Sequence, residues 1–197
     1  MQTPGHAVIN VALLGGALGL EPAGLAGLIA GAIFPDVPIL VLYAHQRLIR
    51  GTPEDEIWAV HYQRPLWLNL VHGAHSIPIG LAGVGLGAVL GSPALLAFFA
   101  SMTAHALGDL PVHARDAHRH FLPLSQYRFI SPISYWDPAF HGRAVALAEA
   151  VFVLLCSGWI LRQTPSPAAF AVLGLVNLAY AAHYTTTFLL RSPGKVP

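Results

Sequence analysis

Charged side chains are scarce in this chain, where Asp, Glu, Lys and Arg together make up only 10% of 197 residues. An ordinary soluble domain has about a quarter. The net charge of +1 gives no overall field for nucleic acid, so we expect no nucleic-acid partner. The hydrophobic fraction of 55% and the mean hydropathy of +0.59 instead predict a membrane protein in a lipid bilayer.

Cysteine is almost absent as well. Cys156 is the only one and lies in an apolar run, which excludes an intramolecular disulfide and a thiolate-rich metal site. A bound metal would therefore need nitrogen and oxygen ligands. The first 20 residues also lack the basic start of a secretory signal, so we expect Met1 to belong to the mature protein.

Apolar segments dominate what is present. They predict an all-α fold, a polytopic membrane helical bundle of about six apolar helices in three hairpins, forming one domain over 1–197. The longest polar stretch, 111–143, is expected to be ordered but irregular. The apolar segments are residues 7–20, 24–43, 77–90, 94–108, 144–161 and 168–190.

The basic residues are distributed unevenly between the apolar segments. If both termini lie on one side, nine of the ten Lys and Arg share that side, and Arg162 is alone on the other. They lie in segments 45–64 and 111–143 and in the tail 191–197. The positive-inside rule then predicts a multi-pass protein of the cell inner (cytoplasmic) membrane, with this side in the cytoplasm.

His105 and Asp109 close the fourth apolar segment, and their spacing of four places both side chains on one helix face. Ionisable residues at membrane depth are usually functional. Further His and Asp residues border apolar segments on the same predicted side. Together they predict a hydrolytic site with a divalent metal, for which we expect zinc, and six ligands indicate more than one ion. The predicted metal ligands are His6, Asp36, His72, His75, His105 and Asp109.

Other polar residues of 111–143 are candidates for the chemistry around that metal. His113 and Asp116 are predicted as catalytic acid or base residues. Arg side chains bind phosphate oxygens in bidentate fashion, and the candidates for substrate contact are Arg115, Arg119 and Arg128.

Simpler interpretations stay open for several of these residues. Asp36 could cap a broken helix, and His6 could be an interfacial side chain. Asp116, His118 and His120 could form a solvated rim. The sequence also leaves open which histidine of the His72–His75 pair binds metal.

Four short elements carry a resemblance over residues 5–110: Gly5-His6, Pro35-Asp36, His72-Gly73-Ala74-His75-Ser76 and His105-Ala106-Leu107-Gly108-Asp109. Their order resembles the membrane-bound, metal-dependent hydrolases that include the LexA-binding inner-membrane-associated hydrolases. The third element departs from that family, with one residue fewer between its histidines. A looser similarity to zinc-dependent phospholipase C implies phosphoester hydrolysis.

These observations lead to the hypothesis of a membrane-embedded metal-dependent hydrolase that acts on a phosphorylated or lipid-linked substrate with metal-activated water. The alternative is a non-hydrolytic metal- or haem-binding membrane protein for electron transfer or ion handling. Asp36 and Asp109 favour a hard metal ion over haem, which needs no carboxylate ligands. A third option is a scaffold whose polar residues only join helices.

Overall fold

The computed structural model describes residues 1–16, 18 and 21–190, and within them the chain is 75% helical without strands, which confirms the all-α prediction. Short 3-10 or π-helical turns continue or join several helices, among them Val11–Gly15, Phe34–Asp36, His45–Ile49 and Leu110–Val112. The α-helices are α1 (Thr3–Asn10), α2 (Pro22–Ile33), α3 (Val37–Ala44), α4 (Glu54–Glu56), α5 (Pro65–Ala74), α6 (Ile77–Val89), α7 (Pro93–Asp109), α8 (Gly142–Gln163) and α9 (Pro167–Tyr184).

Serine and proline define where the long helices begin. The Ser92 hydroxyl accepts a hydrogen bond from the backbone N–H of Leu95, and Pro93 occupies the first position of α7. Ser166 and Pro167 start α9 in the same way. An N-cap hydroxyl satisfies a free N–H, while proline has none to lose, so these pairs fix the register of both helices.

Four helical stretches are long and apolar enough to cross a membrane: Pro22–Ile49, Pro93–Val112, Gly142–Gln163 and Pro167–Leu189. The pair α5 and α6, bent by 52°, makes a fifth if it counts as one span. The first of the six predicted apolar segments differs, because its helix ends at Gly15 after eight α-helical and five π-helical residues. At 1.5 Å per residue this helix is shorter than a bilayer core of about 30 Å.

Helix α7 lies between α2 and α6. Gly27 and Gly31 of α2 lie against the backbone of Ala94 and Phe98, so α2 and α7 run parallel in close contact. On the other side, α6 runs antiparallel to α7 through glycines such as Gly83, which lies against the Phe99 ring. Glycine permits backbones to approach this closely in a membrane protein.

Helix α1 packs against α2 and α7 and joins them to the α8–α9 hairpin. Asn10 donates hydrogen bonds to the backbone oxygen and the hydroxyl of Ser101 at 3.0 and 2.9 Å, which ties α1 to α7. Val8 and Ile9 pack with residues of α8 and α9 in the main apolar cluster, which includes the buried Cys156.

Large apolar side chains cover the outer faces of the last hairpin. Leu154 and Leu155 of α8 and Leu175 and Leu178 of α9 are between 58% and 68% exposed. Polar histidines, in contrast, are among the largest fully buried side chains. This inversion of a soluble fold indicates helices that face lipid.

Three polar regions lie between or beyond the long apolar helices. The chain between Val112 and Pro138 has turns and bends but no helix. The basic segment 45–64 begins inside a helix, because the π-helical turn His45–Ile49 continues α3. The tail 191–197, with Arg191 and Lys195, lies outside the described residues.

Candidate metal centre

The last turn of α7 carries His105 and Asp109, which are 0% and 2% exposed. Their spacing of four residues places His105 Nε2 3.1 Å from Asp109 Oδ2. Because α7 lies between α2 and α6 and also packs against α1, residues distant in sequence reach the same point.

Asp109 lies at the centre of these residues, and each of its carboxylate oxygens faces two imidazoles. Oδ1 is 3.0 Å from His6 Nε2 and 3.3 Å from His113 Nε2. Oδ2 is 3.1 Å from His105 Nε2 and 3.5 Å from His75 Nε2. Four imidazoles thus surround one buried carboxylate.

A second carboxylate, Asp36, completes one side of this arrangement. Its Oδ1 lies 3.5 Å from His75 Nε2 and 3.7 Å from His105 Nε2, while the Thr3 hydroxyl donates to Oδ2 at 2.5 Å. The side chain makes no capping hydrogen bond to α3, although it stands at the N-cap position. Asp36 therefore faces two imidazoles, as a metal ligand does, and does not cap the helix.

Three groups of ligand atoms, each within 4.8 Å of one another, can hold a metal ion: His6 with His105 and Asp109, Asp36 with His75 and His105, and His75 with Asp109 and His118. We refer to their members together as the His/Asp cluster, which consists of His6, Asp36, His75, His105, Asp109 and His118.

Backbone carbonyls fix the orientation of several rings. Nδ1 of His105 lies 2.6 Å from the Ala32 oxygen, and Nδ1 of His75 lies 2.8 Å from the Val71 oxygen. A carbonyl only accepts, so Nδ1 carries the hydrogen and the Nε2 of a neutral ring presents a lone pair. This second-shell arrangement is typical of metal-binding histidines.

The lone pairs of His75 and His105 have no donor. Both Nε2 atoms are buried without a hydrogen-bond partner among the described residues, and both face carboxylate oxygens. Acceptors facing acceptors repel unless a cation lies between them. The spacings of 3.0–3.7 Å fit the edge of a tetrahedron with metal–ligand bonds of about 2.1 Å, which is about 3.4 Å.

A positive charge does lie at this point. The amino group of Met1 is 2.5 Å from Asp109 Oδ1 and 3.4 Å from His113 Nε2. The metal fit rests on the donors themselves, because neutral imidazoles and carboxylates within 4.8 Å of one another are a ligand set for a divalent metal ion.

His113 and Asp116 form a pair beside the cluster. His113 Nδ1 donates to Asp116 Oδ2 at 2.8 Å, and Trp136 Nε1 donates to the same oxygen at 2.9 Å. Burial alone would raise the pKa of Asp116, but the hydrogen bond from His113 and that from Trp136 lower it below its ordinary value. An ionised Asp116 thus turns the free nitrogen of His113 towards Asp109, as in a carboxylate–histidine–metal arrangement.

His118 and His120 are buried, at 4% and 1% exposure, rather than forming a solvated rim. Burial lowers the pKa of His118 well below its ordinary range and that of His120 to about 4, so both rings are neutral near pH 7. His120 Nδ1 donates to the backbone oxygen of His75, and its Nε2 has no partner. Neither the spacing of these histidines nor the polar sequence around them indicates burial. His118 was therefore not predicted as a member of the cluster.

The remaining predicted residues lie outside the His/Asp cluster. His72 Nε2 is 3.3 Å from the Arg128 guanidinium, and the Arg119 backbone N–H lies 3.4 Å from His72 Nδ1. Arg115 pairs with Asp137 at 3.5 Å, and its guanidinium lies over a phenylalanine ring. The structure therefore brings together five of the six predicted ligands and separates His72 from them.

Glu149 is a buried carboxylate that is not among the residues predicted from the sequence. A carboxylate within an apolar run is nevertheless an indication of function. Glu149 Oε1 accepts hydrogen bonds from the Gln2 N–H at 2.8 Å and from the Tyr180 hydroxyl at 2.6 Å. A side chain at Gly5 would overlap the Tyr180 hydroxyl. Glu149 therefore positions the start of α1, which carries His6.

Comparison of the chain with family models, with curated proteins and with solved structures found no match. The fold and the site by themselves define an all-helical protein, whose apolar helices indicate a membrane protein, with a buried His/Asp cluster that can hold a metal ion.

Removing the charge of Asp116 tests the carboxylate–histidine pair. His113 Nε2 lies 3.3 Å from Asp109 Oδ1, where it can serve as a further ligand beside the cluster. We expect Asp116→Asn to lower metal affinity about 10- to 100-fold, because His113 loses the partner that fixes its hydrogen on Nδ1 and leaves Nε2 free to bind. Competition with a chromophoric chelator measures this affinity, and Asp55→Asn, on the exposed helix α4, is the matched control. Unchanged affinity with a slower reaction would instead assign the pair to proton transfer.

Proposed function

We propose that this chain is a membrane-embedded, metal-dependent hydrolase and that the His/Asp cluster holds its metal ions. The observation that carries the proposal is a pair of Nε2 atoms, on His75 and His105, which find no hydrogen-bond partner in the described part of the chain and face the carboxylates of Asp36 and Asp109. Protonation of both rings is the other way to satisfy these carboxylates, and the metal content of the purified protein separates the two.

The number of ligands favours two ions. One tetrahedral zinc takes four ligands, whereas the cluster has six members and His113 lies beside it. Asp109 would be shared, with Oδ1 serving the side of His6 and Oδ2 the side of His75 and His105. We propose zinc, because neutral imidazoles and carboxylates suit it and no thiolate is near.

Hydrolysis follows from what such a centre supplies. Divalent metal ions activate water near neutral pH and stabilise negative charge on an oxygen in the transition state. The chain's own contribution is to hold the ligands in a buried place. Asp116 orients His113 at its edge, where an imidazole can hold or release a proton.

Charge also supports a proposed location. Arg119 and Arg128 both contact His72, which lies on the same side of the helices as the cluster, while Arg162 ends α8 at the far end. We propose that the cluster faces the cytoplasm from the inner membrane, since short loops rich in Arg stay inside.

Metal content and phosphoesterase activity of the detergent-purified protein test this function. We expect about two ions per chain, hydrolysis of p-nitrophenyl phosphate or its bis-ester, loss of activity with a chelator, and recovery with Zn²⁺. A protein without metal would overturn the proposal. A Soret band in the visible spectrum would favour the haem alternative.

A further inference from the structure

His72 is buried among hydrogen-bond donors. The ring is 2% exposed, the Arg119 backbone N–H lies 3.4 Å from Nδ1, and an Arg128 guanidinium nitrogen lies 3.3 Å from Nε2. A neutral imidazole accepts at one nitrogen and carries a hydrogen on the other. One of the two contacts therefore brings one N–H group against another. His72, the Arg119 backbone N–H and the Arg128 guanidinium together form an edge with more hydrogen-bond donors than acceptors.

Among the residues that the structure describes, no carboxylate pairs with the guanidinium of Arg128. No carboxylate oxygen lies within 4.0 Å of the guanidinium of Arg119 or Arg128 in residues 1–16, 18 and 21–190, whereas Arg115 is paired with Asp137. A guanidinium without a carboxylate partner presents its planar fork to an external oxyanion.

This donor-rich edge lies next to the His/Asp cluster. The ring of His72 is 5.7 Å from that of His118, which in turn is 4.2 Å from the ring of His75. Neighbouring imidazole rings therefore connect this edge to the cluster.

We propose that His72 and Arg128 form a phosphate-binding subsite beside the cluster, and that the hydrolysed substrate is a phosphate ester. The second half of this statement rests on the proposed function. The ester phosphate places one oxygen on the donors of Arg128 and His72 and another towards the cluster. Water then forms the new P–O bond, the P–O bond to the alcohol breaks, and the departing alcohol oxygen takes a proton from the water.

Binding of inorganic phosphate to the full-length protein tests the subsite. Equilibrium dialysis with labelled phosphate is performed on metal-loaded and on chelator-treated protein. We expect Arg128→Gln to weaken phosphate binding about tenfold or more while the metal content stays at the wild-type level, because a charge-assisted contact is lost. Arg162→Gln, the same change at the exposed far end of α8, should bind phosphate as the wild type does.

Each outcome decides the inference separately from the hydrolase proposal. Equal phosphate affinity of Arg128→Gln and wild type, or no phosphate binding by the wild type, overturns the subsite. Phosphate binding that depends on Arg128 in a protein that holds no metal as purified, and takes up none when Zn²⁺ is added, supports the subsite and overturns the hydrolase.

Competition by two phosphate esters then identifies the source of the phosphate. Displacement by glycerol 3-phosphate and dioctanoyl phosphatidate alike indicates a soluble ester, displacement by the phosphatidate alone indicates a lipid headgroup, and displacement by neither overturns the subsite.

Discussion

Purified Asp109→Asn protein is expected to contain less than about a tenth of the wild-type metal, since even a partner of a ligand contributes 10- to 100-fold to affinity. The carboxylate faces His6 and His113 through Oδ1, and His75 and His105 through Oδ2. An amide of nearly the same size keeps the volume but offers one oxygen and no charge. Both proposed ions should therefore be lost, and hydrolysis with them.

Mass spectrometry of the metal content and a chelator competition measure this loss. Asp55→Asn provides the control, since it makes the same chemical change on the exposed helix α4. Helical circular dichroism shows whether the variant remains folded. A folded Asp109→Asn protein with wild-type metal content would remove Asp109 from the centre and contradict the proposed function.

Gly31→Ala is expected to destabilise the protein by about 1–3 kcal/mol or more and to lower its metal affinity, because overpacking displaces backbone. A Cβ on Gly31 would overlap the backbone of Phe98, so α2 must move away from α7. The next residue, Ala32, supplies the carbonyl that orients His105, and Asp36 follows at the end of α2. A single methyl group should thus disturb both the packing and the ligands.

Gly85→Ala is the matched control for this substitution. Gly85 lies exposed on α6, and a Cβ there meets nothing within 4 Å. Alanine favours a helix over glycine by about 0.8–1.0 kcal/mol, so we expect this variant to be as stable as the wild type or more so. Thermal unfolding in detergent compares the two. Equal stability and metal affinity for Gly31→Ala and wild type would contradict the close packing of α2 on α7.

Composition and local pattern were sufficient to predict the class of fold. Scarce charge and long apolar segments indicate membrane helices, and Ser-Pro pairs fix helix starts such as that of α7. The length of the first helix was not predictable, since apolar residues continue beyond the π-helical turn that ends at Gly15. A hydropathy profile alone therefore does not predict the residue at which this helix ends.

Part of the candidate metal centre can likewise be predicted from the local sequence. His105 and Asp109 share a face because a helix repeats every 3.6 residues, and no tertiary contact is needed for that. The same argument does not choose between His72 and His75, which both lie near the end of α5. Only the bend of 52° after α5 and the position of Arg128 separate them, by turning His75 towards Asp109 and leaving His72 outside.

The sequence by itself determined an all-helical, apolar chain with one His–Asp pair in register on a helix, because these properties depend on composition and on residues a few positions apart. The tertiary structure decided which further side chains reach that pair. His6 lies 103 positions from Asp109, and His118 follows a stretch without helix. Their meeting depends on the packing of α1 against α7 and on the glycine contacts between α2 and α7, which no local pattern encodes.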